Sequence, residues 1–161
     1  MQSRPYCAFV DALFAAYDSH LRPIGLDDNI TAKGGVRALI LAHQLGHALV
    51  SGDKGADAQD HHGRLFEYKV SSADRYNFHF GARKTEAENE DCITRHFDGL
   101  HGAVCAVIEH RRIKKFAFCS SRVLVPALLE GLRDLKGGQL VRVYTWDAFI
   151  ALPGVRIDRI D

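Results

Sequence analysis

The sequence lacks the signatures of several large protein classes. It has no Cys-x-x-Cys pair: Cys7, Cys92, Cys105 and Cys119 are scattered. That argues against a disulfide framework and for reduced, mostly buried thiols in a cytoplasmic protein. No apolar run reaches the roughly 20 residues that span a bilayer, so no membrane association is expected. Asp11 and Asp18 interrupt the apolar residues near the N-terminus, so that stretch does not read as a signal peptide. Internal repeats, linkers and low-complexity segments are missing. So is an excess of one charge: 21 Lys and Arg against 20 Asp and Glu leave a net +1. No global positive field draws in nucleic acid, and any DNA binding must rest on local clusters. What remains is an ordinary globular composition, 47% hydrophobic and 25% charged, over a length that suits one domain, 1–161, with a substantial core.

The chemistry concentrates between Gly55 and Lys69. Ala56, Asp57 and Ala58 lead into a polar turn, Asp60-His61-His62-Gly63, and Leu65 to Val70 follow as a β-favouring run. Strand residues alternate between faces, so Glu67 and Lys69 share one side and Phe66, Tyr68 and Val70 the other. A hairpin brings Asp57 back beside Glu67. Two neighbouring carboxylates repel unless a cation lies between them, and a hard ion such as Mg²⁺ suits an all-oxygen site. Lys69 is placed to orient a water or to stabilise charge building on a phosphate. The plain structural alternative is a solvated hairpin face.

Asp57, nine residues, then Glu67-Tyr68-Lys69 resembles the signature of the PD-(D/E)xK nuclease superfamily, which includes many type II restriction endonucleases. Gly55-Ala56-Asp57-Ala58, Glu67-Tyr68-Lys69-Val70-Ser71 and Asn77-Phe78-His79-Phe80-Gly81 extend the likeness over about residues 36 to 84. The resemblance implies a Mg²⁺-dependent endonuclease, with Mn²⁺ as a substitute, cutting double-stranded DNA in a sequence-specific manner. Asp57 and Glu67 would hold the metal with the backbone carbonyl of Tyr68, and Lys69 would complete the catalytic set. Asn77, His79, Arg83 and Lys84 would contact DNA. Two cuts in a duplex suit a homodimer. The sequence departs from the pattern in carrying Ala56 where the family name has proline. The helix ahead of the hairpin also has no acidic residue, Gln44 being the nearest substitute.

That helix carries a rival motif. His43-Gln44-Leu45-Gly46-His47 differs by one residue from His-Glu-x-x-His, and two histidines four apart on a helix share a face and bind zinc. Gln44 cannot accept a proton as the glutamate would. A zinc hydrolase using His43 and His47 is therefore the alternative, along with a non-catalytic DNA-binding protein on the same fold.

The remaining chain reads as alternating elements. Helices are expected at 6–21, 36–50 (apolar nearly all round), 86–98 and 122–135, with a loop at 22–34. Thr85 with Glu88 forms a capping box for the third, and Ser120 or Ser121 caps the fourth. Strands are expected at 75–82, Ala103–Ile108 as a central strand, Phe116–Cys119, Gln139–Trp146, and an edge strand from Val155 to Asp161. Glu109–Lys115 reads as a basic turn, and Asp147 as the cap of a last helical turn. The order predicts an α/β fold, a mixed central β-sheet flanked by helices. It is compatible with the restriction endonuclease-like core of a helix, a three-stranded meander, a helix and a parallel strand, although no segment ahead of Asp57 reads clearly as the meander's first strand.

Overall fold

The computed structural model describes residues 35–50, 55–80, 85–109, 112–133 and 140–158, together with Ala15 and Ser19. The helix expected at 6–21, the loop at 22–34, and Arg83 with Lys84 lie outside these residues, or nearly so in the case of the helix. In chain order the elements are α1 (Gly35–Leu45), β1 (Ala48–Leu49), β2 (Ala58–Gln59), β3 (Leu65–Ser71), β4 (Arg75–Phe80), α2 (Glu86–His96), β5 (Leu100–Glu109), β6 (Arg112–Ser120), α3 (Ser121–Arg133), β7 (Leu140–Thr145), α4 (Trp146–Ile150) and β8 (Arg156–Asp158).

Six strands form one mixed sheet in the order β1-β2-β3-β5-β6-β8, and β4 with β7 form a separate two-stranded ribbon. The first three strands are an antiparallel meander. β3 and β5 run parallel, which requires a long crossover; β4 and α2 lie within it. β5 is the centre of the fold. Ala103, Cys105 and Val107 enter one core, while Val104, Ala106 and Ile108 enter the other. The uninterrupted apolar run of this strand follows from burial on both faces.

The smaller core packs Leu41 and Ala42 of α1 against Phe66, Tyr68, Val104, Ala106 and Ile108. The larger core gathers Tyr76, Phe78 and Phe80 of β4, Ile93 of α2, Leu124 and Leu128 of α3, and Trp146 and Phe149 of α4. α2 begins with the expected capping box: Thr85 accepts from the Glu88 N–H, and Glu88 accepts from the Thr85 N–H. Its acidic first turn suits the positive end of the helix dipole.

The structure corrects several expectations. α1 is not buried all round; it covers the sheet with one stripe, and Val36 is 53% exposed. Arg112 to Lys115 belong to β6 rather than a turn, with Glu109 opposite Arg112. Lys115 Nζ bonds the Asp74 carboxylate at 3.0–3.1 Å and lies 4.6 Å above the Trp146 ring, so its charge is already engaged. Ser121 Oγ donates to the Leu100 carbonyl instead of capping α3. Thr145, not Asp147, caps α4. The strand expected at 139–146 pairs with β4 and not with the main sheet, while the expected edge strand near the end does pair, with β6.

Gly102 is closely confined by the neighbouring strand. A Cβ there would lie 2.2 Å from the Cys119 carbonyl oxygen and 2.6 Å from the Phe118 ring. The backbone oxygen cannot swing away as a side chain would. Gly102→Ala is expected to destabilise the protein by about 1–3 kcal/mol or more, as overpacked sites do. Equilibrium denaturation of the variant checks this, and an unchanged midpoint would contradict it.

Candidate active site at the β2–β3 hairpin

The hairpin is fixed at its tip by Asp60. Its Oδ1 accepts the N–H groups of His62 and Arg64, and its Oδ2 accepts from Arg64 Nε at 2.7 Å. Burial alone would raise the Asp60 carboxyl, but these donors outweigh it and hold it well below the usual carboxylate range. The turn sets the register Ala58 opposite Phe66 and Gln59 opposite Leu65. Continued by one residue, that register puts Asp57 opposite Glu67. The Asp57 N–H bonds the Phe66 carbonyl at 2.8 Å. Its carboxylate Oδ2 accepts the Tyr68 N–H at 2.6 Å, in place of a backbone carbonyl.

Strand alternation then sorts the side chains as the sequence predicts. Phe66 and Tyr68 enter the smaller core. Glu67 faces the other way and is 5% exposed, one of two buried acids among the described residues. Lys69 Nζ ion-pairs with Glu67 Oε1 and stands 5.4 Å from the centre of the Phe78 ring. His96, from the last turn of α2, brings Nε2 to 3.4 Å from Glu67 Oε2. Glu67 thus has a cationic or donor group at each oxygen. Burial would raise its pKa, yet His96 and Lys69 together bring it below the ordinary value.

Asp57 goes the opposite way. Burial, and then the charge of Glu67, push its carboxyl up to about 6, against the opposing pull of the Tyr68 N–H, Lys69 and His96. The two acids therefore sense each other across the hairpin. A half-buried aspartate with a raised pKa beside a buried, ionised glutamate is an arrangement that folding alone does not favour, and such perturbations cluster at functional sites.

The zinc alternative loses its geometry. α1 ends at Leu45, Gly46 adopts φ +67°, and the His47 and Gly46 N–H groups fold back onto the carbonyls of Ala42 and His43. This is a glycine helix stop of the Schellman type. His47 therefore lies beyond the helix and does not share a helical face with His43. Its ring stacks on Phe66 at 4.8 Å, and Nδ1 is 2.8 Å from the Tyr68 hydroxyl. Burial lowers its pKa. His43 stays exposed.

Asn77 and His79 share an exposed face of β4, as expected, with Arg75 beside them. The intervening Tyr76, Phe78 and Phe80 point into the core. Since Phe78 is the residue that meets Lys69, the Asn77 and His79 side chains leave from the opposite face of their strand and do not converge on Glu67. Arg83 and Lys84 are outside the described residues. The residue that sequence reading missed is His96. Its one signal was a basic helix C-terminus, since its approach to the hairpin depends on long-range packing.

Among the described residues no three His, Cys, Asp or Glu side chains are grouped so as to hold a metal ion. The chain offers a cation the two carboxylates of Asp57 and Glu67. That donor set suits a hard divalent ion, which would favour the ionised form of Asp57 against both causes that raise its pKa, burial first and then the charge of Glu67. The sequence matches no protein-family model and has no significant match to a curated protein. No helix among the described residues is long and apolar enough to cross a membrane.

The raised Asp57 carries a stability consequence. The folded state binds this proton more tightly than the unfolded chain, whose carboxyl titrates near 3.8. Stability is therefore lost as pH rises from 3.8 to about 6, and the loss is complete above that. Asp57→Asn keeps an acceptor for the Tyr68 N–H and removes the charge. It should stabilise the protein by up to about 3 kcal/mol at pH 8 and by less than about 1 kcal/mol at pH 4. Denaturant unfolding at the two pH values measures this; equal effects at both, or destabilisation at pH 8, would contradict the coupling.

Proposed function

We propose that this chain is a Mg²⁺-dependent endonuclease acting on double-stranded DNA, of the sequence-specific type II restriction kind, working in the cytoplasm as a homodimer. The observation that carries the reading is the meeting of Asp57 and Glu67 on facing hairpin strands, with Lys69 against Glu67. Apart from β4, which joins the separate ribbon, the element order supports it: a helix, an antiparallel meander of β1, β2 and β3, then α2 and a strand parallel to β3. This is the order that the resemblance to PD-(D/E)xK nucleases implies, and β1 supplies the strand ahead of the aspartate that the sequence did not reveal.

In this reading Asp57, Glu67 and the backbone carbonyl of Tyr68 hold the ion, with Mn²⁺ able to replace Mg²⁺. When bound, the ion supplies charge that polarises the scissile phosphate and acidifies a water. Lys69 contributes a positive charge kept in place by Glu67 and the Phe78 ring, and it offsets negative charge growing on the phosphate. Hydrolysis forms a bond from the water oxygen to phosphorus and breaks the bond to the 3′ oxygen, the water proton leaving to solvent or a neighbouring base. With a net charge of only +1, DNA contact rests on local groups. Arg75, Asn77 and His79 form an exposed polar row on the face of the β4–β7 ribbon turned away from Glu67, so any DNA contact they make is apart from the two acids; Arg83 and Lys84 follow the row in sequence. Paired cuts on the two strands suit a two-fold dimer.

Incubation of plasmid DNA with the protein and Mg²⁺, with and without chelator, tests the activity. Cleavage that requires the metal is expected. Lys69→Ala should lower the rate by on the order of 10²–10³ while DNA binding persists. Intact plasmid with wild-type protein, or wild-type cleavage by the variant, would overturn the proposal.

A further inference from the structure

We propose that His96 is a positioning residue that holds the two acids of the hairpin in alignment. Its consequence for catalysis rests on the nuclease reading above, but its structural claim does not. The His96 ring is wedged on three sides. It meets Phe80 edge-on at 5.2 Å and Phe97 edge-on at 5.0 Å. The backbone of Gly55 closes against its third side. A Cβ at Gly55 would lie 2.9 Å from Cε1 and 3.0 Å from Nδ1 of the ring, and Gly55 adopts φ +77°, so glycine is required there twice over. Gly55 stands two residues before Asp57, so the ring supports the segment that delivers this aspartate. On its free edge, Nε2 faces Glu67 Oε2 at 3.4 Å, while Lys69 holds the other oxygen.

One side chain from α2 therefore braces the segment that carries Asp57 into β2 and meets the carboxylate of Glu67 on β3. His96 touches no reacting atom in this reading. It acts through Glu67, as the outer partners of ligating carboxylates do, and their loss typically weakens metal binding by about 10–100-fold.

Two variants separate the ring from its nitrogen. His96→Phe retains ring volume for Gly55, Phe80 and Phe97 but has no group to offer Glu67. His96→Gln offers an amide N–H at similar reach. Two measurements on the full-length protein follow them. One is the amide proton shift of Tyr68, whose short bond to Asp57 Oδ2 reports how the acids are held. The other is Mn²⁺ affinity by electron paramagnetic resonance, with thermal unfolding to check that each variant is folded. His96→Phe is expected to move the Tyr68 amide signal and weaken Mn²⁺ binding about tenfold; His96→Gln should lie near wild type on both. Wild-type values for His96→Phe, or equal losses in the two variants, would overturn the proposal. A wild-type protein that leaves DNA intact would remove the nuclease reading, and the Tyr68 comparison would still decide the role of His96.

Discussion

Repulsion between two carboxylates in one poorly hydrated place is the constraint on which the rest of this structure turns. Asp57 and Glu67 sit opposite each other where the β2–β3 hairpin meets the larger core, and neighbouring groups divide the burden unequally. Glu67 receives Lys69 and His96 and stays ionised; Asp57 receives a single backbone N–H and has its midpoint pushed up to about 6. A protein selected only for stability would place a hydrophobic pair here. The paired acids, and the lysine held against them, are the features on which the proposed chemistry rests.

The surrounding fold is arranged to keep that geometry. Asp60 ties the tip and fixes the register. The β3–β5 parallel pairing buries the strand carrying Glu67 in the middle of the sheet. The crossover between those strands brings back β4, whose Phe78 lies against Lys69, and α2, whose last turn delivers His96. Two separate segments, β4 and α2, thus converge on the hairpin from one side of the sheet, while α1 covers the other side with Leu41 and Ala42.

Local signals were legible in the sequence because local physics determines them. The two-residue period separated Glu67 and Lys69 from Phe66 and Tyr68. The Thr85–Glu88 box marked the start of α2, and the doubly buried run marked β5. What could not be read depended on partners distant in the chain. β1 is only two residues long and exists because β2 pairs with it. The apolar pattern of 36–50 suggested one helix, but Gly46 in the left-handed region ended it and turned His47 toward Tyr68. β7 has the composition of a sheet strand, and only packing decides that it joins β4. Nothing adjacent to His96 in sequence announces Glu67 as its neighbour, since the two are brought together by the crossover.

The proposed role of the paired acids is to share one divalent cation. A carboxyl-carbon NMR titration of Asp57, run with and without Mg²⁺, tests it most directly, because a metal bound by a carboxylate competes with its proton. A midpoint near 6 in the absence of Mg²⁺ and a clear fall when Mg²⁺ is added are expected. A midpoint that Mg²⁺ leaves unmoved would contradict it.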